Sequence, residues 1–389
     1  MTDRPSAPRS TRHAGPRAEP EPRTEPLTQL LAQLPKAELH CHLDGSVRPS
    51  TLLELGAEQG VAMPAATPGA LAAYMRVDDA RNLDDYLARF DITLSVLQTA
   101  PALERVAYEL AVDAAAEGVR YLEVRYAPIL NTRGGAGVRP LDLHGAVEAA
   151  LRGLARAERD AAVVARVIVC AIRNQPPELA VDAARVAAEY RRRGVVGFDL
   201  AGGEAGHPAT DFARAFAHAR RHDLACTCHA GEGAGAESVR DAVQGCACDR
   251  VGHGTRIIED PSLLDYLVDR RICVECCLTS NVQTRAAASY EAHPFRAYFD
   301  RGLNVVLNTD NRLMSGTTLV DEYAHAARRL GFTLPELARV ARHGFESAFL
   351  PYAEREALLA RLAPEFDAVV REGAAATAVE AGLSMQVTA

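Results

Sequence analysis

The chain has 389 residues, 48% of them hydrophobic, and a formal net charge of −8. That length holds one large domain or two ordinary ones, and the apolar content can fill a complete core. The acidic balance gives no electrostatic case for nucleic acid or an anionic membrane as main partner, and no apolar run approaches the ~18 residues of a membrane span.

Residues 1–26 are polar and rich in Pro, Arg and Glu, with no apolar stretch after them to serve as the core of a signal peptide. We expect a disordered tail there and a cytoplasmic protein. From residue 27 onward, short runs rich in Val, Ile, Leu and Cys alternate with longer stretches rich in Ala, Arg and Glu. The short runs predict strands at 37–43, 120–126, 166–172, 195–200, 225–229, 250–253, 272–277 and 304–308. Helical patterns fill the gaps, for example 102–117, 141–161, 179–193 and 210–221. This alternation, eight strands long, predicts a (β/α)8 TIM barrel over 27–371. No Gly-rich phosphate loop opens a helix, which argues against a doubly wound nucleotide fold. Residues 372–389 are Ala- and Gly-rich and are expected to be loose.

The stretch between the first two strands, roughly 45–118, is long enough for extra helices over the barrel mouth. Within it Leu83, Tyr86, Leu87 and Phe90 repeat at helical spacing on one face. That face suits core packing or a hydrophobic lid over a ligand. The nine cysteines are mostly in apolar, strand-like runs and read as reduced thiols behaving as small hydrophobes, in preference to a zinc ribbon.

Four separated segments place polar residues at or just past strand ends, where barrel active sites lie. They are Leu39-His40-Cys41-His42-Leu43-Asp44, Cys228-His229-Ala230-Gly231-Glu232, Gly252-His253-Gly254 and Asn308-Thr309-Asp310-Asn311. Residues i and i+2 of a strand share a face, so His40 and His42 can hold one ion. With His229 and Asp310 they supply three nitrogens and one carboxylate, a set that suits zinc and can activate water. Asp310 is also placed to accept the water's proton, and His253 to orient the water. Glu232, three residues past His229, is offset toward a substrate and suits proton transfer. Asp44 before Gly45 can equally be a turn residue.

Together with Pro35-Lys36-Ala37-Glu38, Tyr121-Leu122-Glu123-Val124-Arg125-Tyr126-Ala127-Pro128, Asp199-Leu200-Ala201-Gly202, Arg250-Val251-Gly252-His253-Gly254-Thr255 and Cys277-Leu278-Thr279-Ser280-Asn281, these segments resemble the adenosine deaminase family, in order, over roughly residues 28–365. The resemblance implies one Zn2+ held by His40, His42, His229 and Asp310, and a small-molecule purine nucleoside as substrate, adenosine or 2′-deoxyadenosine. By the same resemblance Glu232 protonates purine N1, while His253 and Asp310 position and deprotonate the water that attacks C6. It further implies contacts from Asp44 to a ribose hydroxyl, from the Gly202 backbone N–H to N3, and from His42 to the substrate. After the metal Asp, many members carry a second Asp that bonds N7; here Asn311 stands there, and its amide donates without needing protonation. Sister enzymes acting on adenine or aminofutalosine tend to carry Asp-Pro at this point, which this chain lacks.

Overall fold

The computed structural model describes residues 25–78, 83–135 and 139–387. The expected tail at 1–26 therefore falls, apart from its last two residues, outside the described residues. Nine parallel strands run in chain order: β1 (Lys36–His42), β2 (Val119–Tyr126), β3 (Val164–Ile172), β4 (Val195–Ala201), β5 (Ala225–Cys226), β6 (His229–Ala230), β7 (Arg250–His253), β8 (Cys273–Cys276) and β9 (Val305–Leu307). They form a five-stranded run, β1 to β5, and a four-stranded run, β6 to β9. Helices intervene between successive strands except β5 and β6, giving the repeating order of the TIM barrel read from the sequence.

The fifth predicted strand is split into β5 and β6. Across the break, Thr227 N still donates to Phe198 O (3.0 Å) and Cys228 O accepts from Gly252 N (2.8 Å). The two pieces thus occupy one barrel position, between β4 and β7. A second seam lies between β9 and β1, where a side chain does the work of a ladder. Asn308 Oδ1 accepts from Leu39 N (2.8 Å) and His40 N (3.1 Å). Beyond it, Asp310 N donates to His40 O (3.0 Å) and His42 N to Asp310 O (2.7 Å).

The strands are buried on both faces, as parallel strands under a helical layer must be; all seven residues of β1 are buried. Not all of the barrel interior is apolar. Arg125 on β2 bonds Asp199 on β4 (3.1 Å) and Glu275 on β8 (2.7 Å). Arg250 on β7 bonds the other oxygen of Glu275 (2.7 Å) and also Glu123. A buried charge needs such partners, and here each guanidinium faces two carboxylates.

Between β1 and β2 the chain makes the expected helical excursion: Pro49–Gln59, Pro68–Met75, Leu83–Leu87, Phe90–Leu94 and Ala100–Ala116. The predicted single helical face through residues 83–90 is two short helices, because Arg89 N bonds Tyr86 O in a turn (3.3 Å). The last helix spans Tyr352–Val387. All nine cysteines are free and buried. None of the described helices is long and apolar enough to cross a membrane.

Candidate active site

β1 delivers His40 and His42 to the same side, and the ends of β6 and β9 bring His229 and Asp310 against them. The ligand atoms of these four lie within 4.8 Å of one another. His42 Nε2 and His229 Nε2 are 3.1 Å apart, and Asp310 Oδ1 is 3.4 Å from both His40 Nε2 and His42 Nε2. His40 Nε2 is buried without a hydrogen-bond partner. Nitrogen lone pairs converging beside a carboxylate, one of them orphaned in the interior, fit a divalent metal ion.

Three of the four ligands are oriented from behind. Glu275 Oε2 accepts from His40 Nδ1 (2.9 Å), Asp199 holds His229 Nδ1 (3.1 Å), and Ser280 Oγ donates to Asp310 Oδ2 (2.6 Å). Such partners fix ring tautomer and direction, which leaves the Nε2 atoms for the ion. The buried arginines keep the orienting acids charged: burial opposes ionisation of Glu275, but Arg125 and Arg250 hold its carboxyl well below the usual range. Burial likewise opposes ionisation of Asp199, which His229 and Arg125 hold well below it.

Backbone geometry adds to the placement. His253 (φ 63°) and Asp310 (φ 60°) both adopt the left-handed region, which costs a non-glycine residue on the order of 1–2 kcal/mol. Gly252 is needed for a different reason: a Cβ there would sit 2.9 Å from His40 Cε1. Gly45 is similarly required, since its Cβ would come within 1.7 Å of Asn311 Oδ1.

Glu232 and His253 face each other across the site, Oε2 to Nε2 at 3.5 Å. Asn281 Nδ2 lies 2.9 Å from His253 Nδ1, which places the ring proton on Nε2. Burial holds His253 neutral, well below its ordinary pKa. Burial, with Asp310 and Glu204 nearby, pushes Glu232 well above the usual carboxylate range, which favours its protonated form. Asp310 behaves oppositely: burial opposes its charge, but the hydrogen bond with His40 and the surrounding imidazoles keep it ionised. Asp44 is raised by burial to about 7, and its Oδ1 lacks a partner.

A cavity of about 220 Å3 opens onto this cluster. Its polar wall includes His42, Asp44, Gly202, Glu232, Asp310 and Asn311, and its apolar wall includes Leu83, Tyr86, Leu87 and Phe90. All the residues read from the sequence as site residues are thus brought together, and the segment at 83–90 forms the roof. Tyr86 is fastened there by a hydrogen bond to Ser315 (2.9 Å).

Sequence reasoning missed Glu204. Its buried carboxylate accepts four backbone N–H groups: Gly231 (2.6 Å), Glu232 (2.9 Å), Gly233 (2.6 Å) and Ala234 (3.2 Å). It clamps the loop that carries Glu232. The orienting roles of Glu275, Asp199, Ser280 and Asn281 also went unread. One signal was present for Glu275: a charge inside Cys273-Val274-Glu275-Cys276, a run otherwise apolar, must be paired.

Residues 35–365 match the family model described as adenosine deaminase. A probable adenosine deaminase from Dictyostelium discoideum is 42% identical over 322 residues, covering 82% of this chain and 41% of that protein. The chain thus spans less than half the length of that relative. An adenosine deaminase from Mycobacterium sp. (strain JLS) is 41% identical over 355 residues, covering 86% of this chain and 96% of that one. Among solved structures, an amidohydrolase from Burkhoderia ambifaria with bound Zn superposes with a TM-score of 0.80 at 29% identity, covering 90% of this chain and 94% of the other.

Proposed function

The chain belongs to the adenosine deaminase family, and from that premise we propose that it hydrolyses adenosine and 2′-deoxyadenosine to inosine and deoxyinosine with release of ammonia. The observation that carries this reading is the convergence of His40, His42, His229 and Asp310 within 4.8 Å, beside Glu232, at the floor of a small cavity. We assign the four as ligands of one Zn2+, which supplies a water of lowered pKa at neutral pH.

The protein groups divide the remaining work. Glu232 gives its proton to purine N1, which makes C6 electrophilic. Asp310, ionised and steadied by Ser280, accepts the proton of the attacking water. His253 donates from Nε2 and stabilises the oxygen that adds to C6. The proton taken up by Asp310 passes to the amino group, the C6–N bond breaks and ammonia leaves; as the C6 carbonyl forms, the remaining hydroxyl proton returns to Glu232. Asp44 takes a ribose hydroxyl, the Gly202 N–H takes N3, and the Asn311 amide donates to N7. The apolar roof from Leu83 to Phe90 covers the base and excludes bulk water. We place this work in a single catalytic domain spanning 27–371, flanked by terminal segments outside it. A cytoplasmic setting agrees with nine free thiols.

The test is a spectrophotometric assay of the purified protein with adenosine, 2′-deoxyadenosine and adenine, each with and without a chelator. Chelator-sensitive conversion of both nucleosides, and not adenine, is expected. Among the described residues Arg133 is the one arginine that lines the cavity, so AMP runs in parallel to detect a nucleotide preference. Absence of turnover in a folded, zinc-loaded sample would overturn the substrate assignment. For the ligand set, His42→Ala is expected to lose zinc; retention of one zinc per chain would refute it.

A further inference from the structure

The opposite end of the barrel holds a second cavity, of about 1300 Å3, at the amino ends of β4, β5, β7 and β8. Eight arginines and four carboxylates line it. Glu123, Glu148, Glu158 and Glu275 behind the wall bring the carboxylates to eight, so what distinguishes the cavity is which arginines lack a carboxylate partner.

Half of the arginines are matched. Arg166 pairs with Glu158 (2.7 Å), Arg191 with Asp223 (3.8 Å) and Arg193 with Glu148 (3.0 Å). Arg250 forms the floor, bound to Glu123 and Glu275 and stacked 3.4 Å over the ring of Phe349. The other four, Arg192, Arg220, Arg271 and Arg355, line the same cavity. Among the described residues none of them forms an ion pair with a carboxylate. Arg192, Arg220 and Arg271 are exposed, reached by solvent from the open side. With no carboxylate bonded to them, these guanidiniums have donors to offer an anion, although Asp249 and Glu346 line the same cavity.

We propose that this cavity is a binding site for a polyvalent phosphate anion, separate from the deaminase site. The guanidinium fork matches phosphate oxygens in pairs, so arginine in place of lysine favours phosphate over a simple halide. The cavity exceeds the ~300–1,000 Å3 of single drug-sized ligand pockets and so has room for a chain of phosphates. Inorganic triphosphate and a nucleoside triphosphate share this chemistry. Phe349, half-buried in the cavity wall, is the aromatic group that would tell them apart, by contact with a base.

The experiment is calorimetric titration of the full-length protein with sodium triphosphate and, separately, with ATP, at two salt concentrations. Binding that weakens with salt is expected. The double variant Arg220→Glu/Arg271→Glu should weaken it about tenfold or more while leaving adenosine turnover unchanged. Arg185→Glu, an exposed arginine outside the cavity, serves as control. Equal affinities for the two ligands assign the site to the phosphate chain alone; tighter ATP binding that is lost in Phe349→Leu adds a base contact. The proposal is overturned by absence of triphosphate binding, by undiminished binding in the double variant, or by an equal loss in the control. Because inorganic triphosphate has no purine, failure here is distinguishable from failure of the deaminase assignment.

Discussion

Glu204 offers the sharpest test of how the catalytic loop is held. In Glu204→Gln the side chain keeps its size but only one oxygen. The arrangement that loses least keeps that oxygen on the N–H groups of Glu232, Gly233 and Ala234 and turns the amide NH2 against the Gly231 N–H. That leaves one buried donor unsatisfied, at about 1–3 kcal/mol, and strips the charge from the three remaining bonds. A total near ~2–4 kcal/mol is then shared between overall stability and the position of the loop. If ~1.4–2.8 kcal/mol of it appears in the transition state, kcat for adenosine falls about 10- to 100-fold. A second readout isolates the effect on Glu232. The Glu204 charge is one of the influences that raise the Glu232 pKa, after burial and Asp310. Removing it lowers that pKa, so the protonated fraction at a given pH falls and the alkaline limb of the kcat profile moves to lower pH. Zinc content should stay at the wild-type level, since no metal ligand is changed. A variant with wild-type kcat and an unmoved alkaline limb would refute the clamp.

Glu232→Gln should retain zinc and lose about 10²- to 10⁴-fold in kcat, the range of a lost general acid, measured by steady-state kinetics beside metal analysis. Glu275→Gln should lower zinc affinity about 10- to 100-fold through the loosened His40, read by competition with a chromophoric chelator; unchanged affinity would remove Glu275 from the orienting role. Lys36 is buried against the carbonyls of Leu31 and Leu34, and burial lowers its pKa to about 7. Because the unfolded chain keeps a pKa near ~10.4, it binds the extra proton between those values, so this residue makes stability rise with pH across that window. Lys36→Met should flatten the slope by up to ~1.4 kcal/mol per pH unit in denaturant titrations; identical slopes for the two proteins would show Lys36 to be charged when folded.

The barrel was legible because its strands are continuous apolar runs bounded by helical stretches, and the predicted ends at 166–172 and 250–253 fall within two residues of β3 and β7. The metal cluster was legible for a local reason: His40 and His42 share a face by strand periodicity alone. His229 and Asp310 joined them through strand ends and the family resemblance. The orienting groups were out of reach because their partners are remote. His40 and Glu275 are 235 positions apart, and Glu204 meets its loop 27 to 30 positions later. Nothing in local periodicity says which buried acid meets which donor. The break between β5 and β6 and the turn at Arg89 were hidden for the same reason, since hydrogen bonds to neighbouring segments decide them.

The nine interior thiols give the protein a built-in clock for its own opening. Burial pushes the thiols of Cys41, Cys246 and Cys273 up to about 12, so at ordinary pH they present neither surface nor thiolate to an alkylating reagent. Labelling can proceed only when a segment swings away from the barrel, and its rate then reports that excursion. Cys41 sits beside the β9–β1 seam that Asn308 spans, while Cys246 lies on the helical layer against Ala209. Mass spectrometry of peptides alkylated for increasing times would therefore time the seam and the outer layer separately, without introducing a single probe.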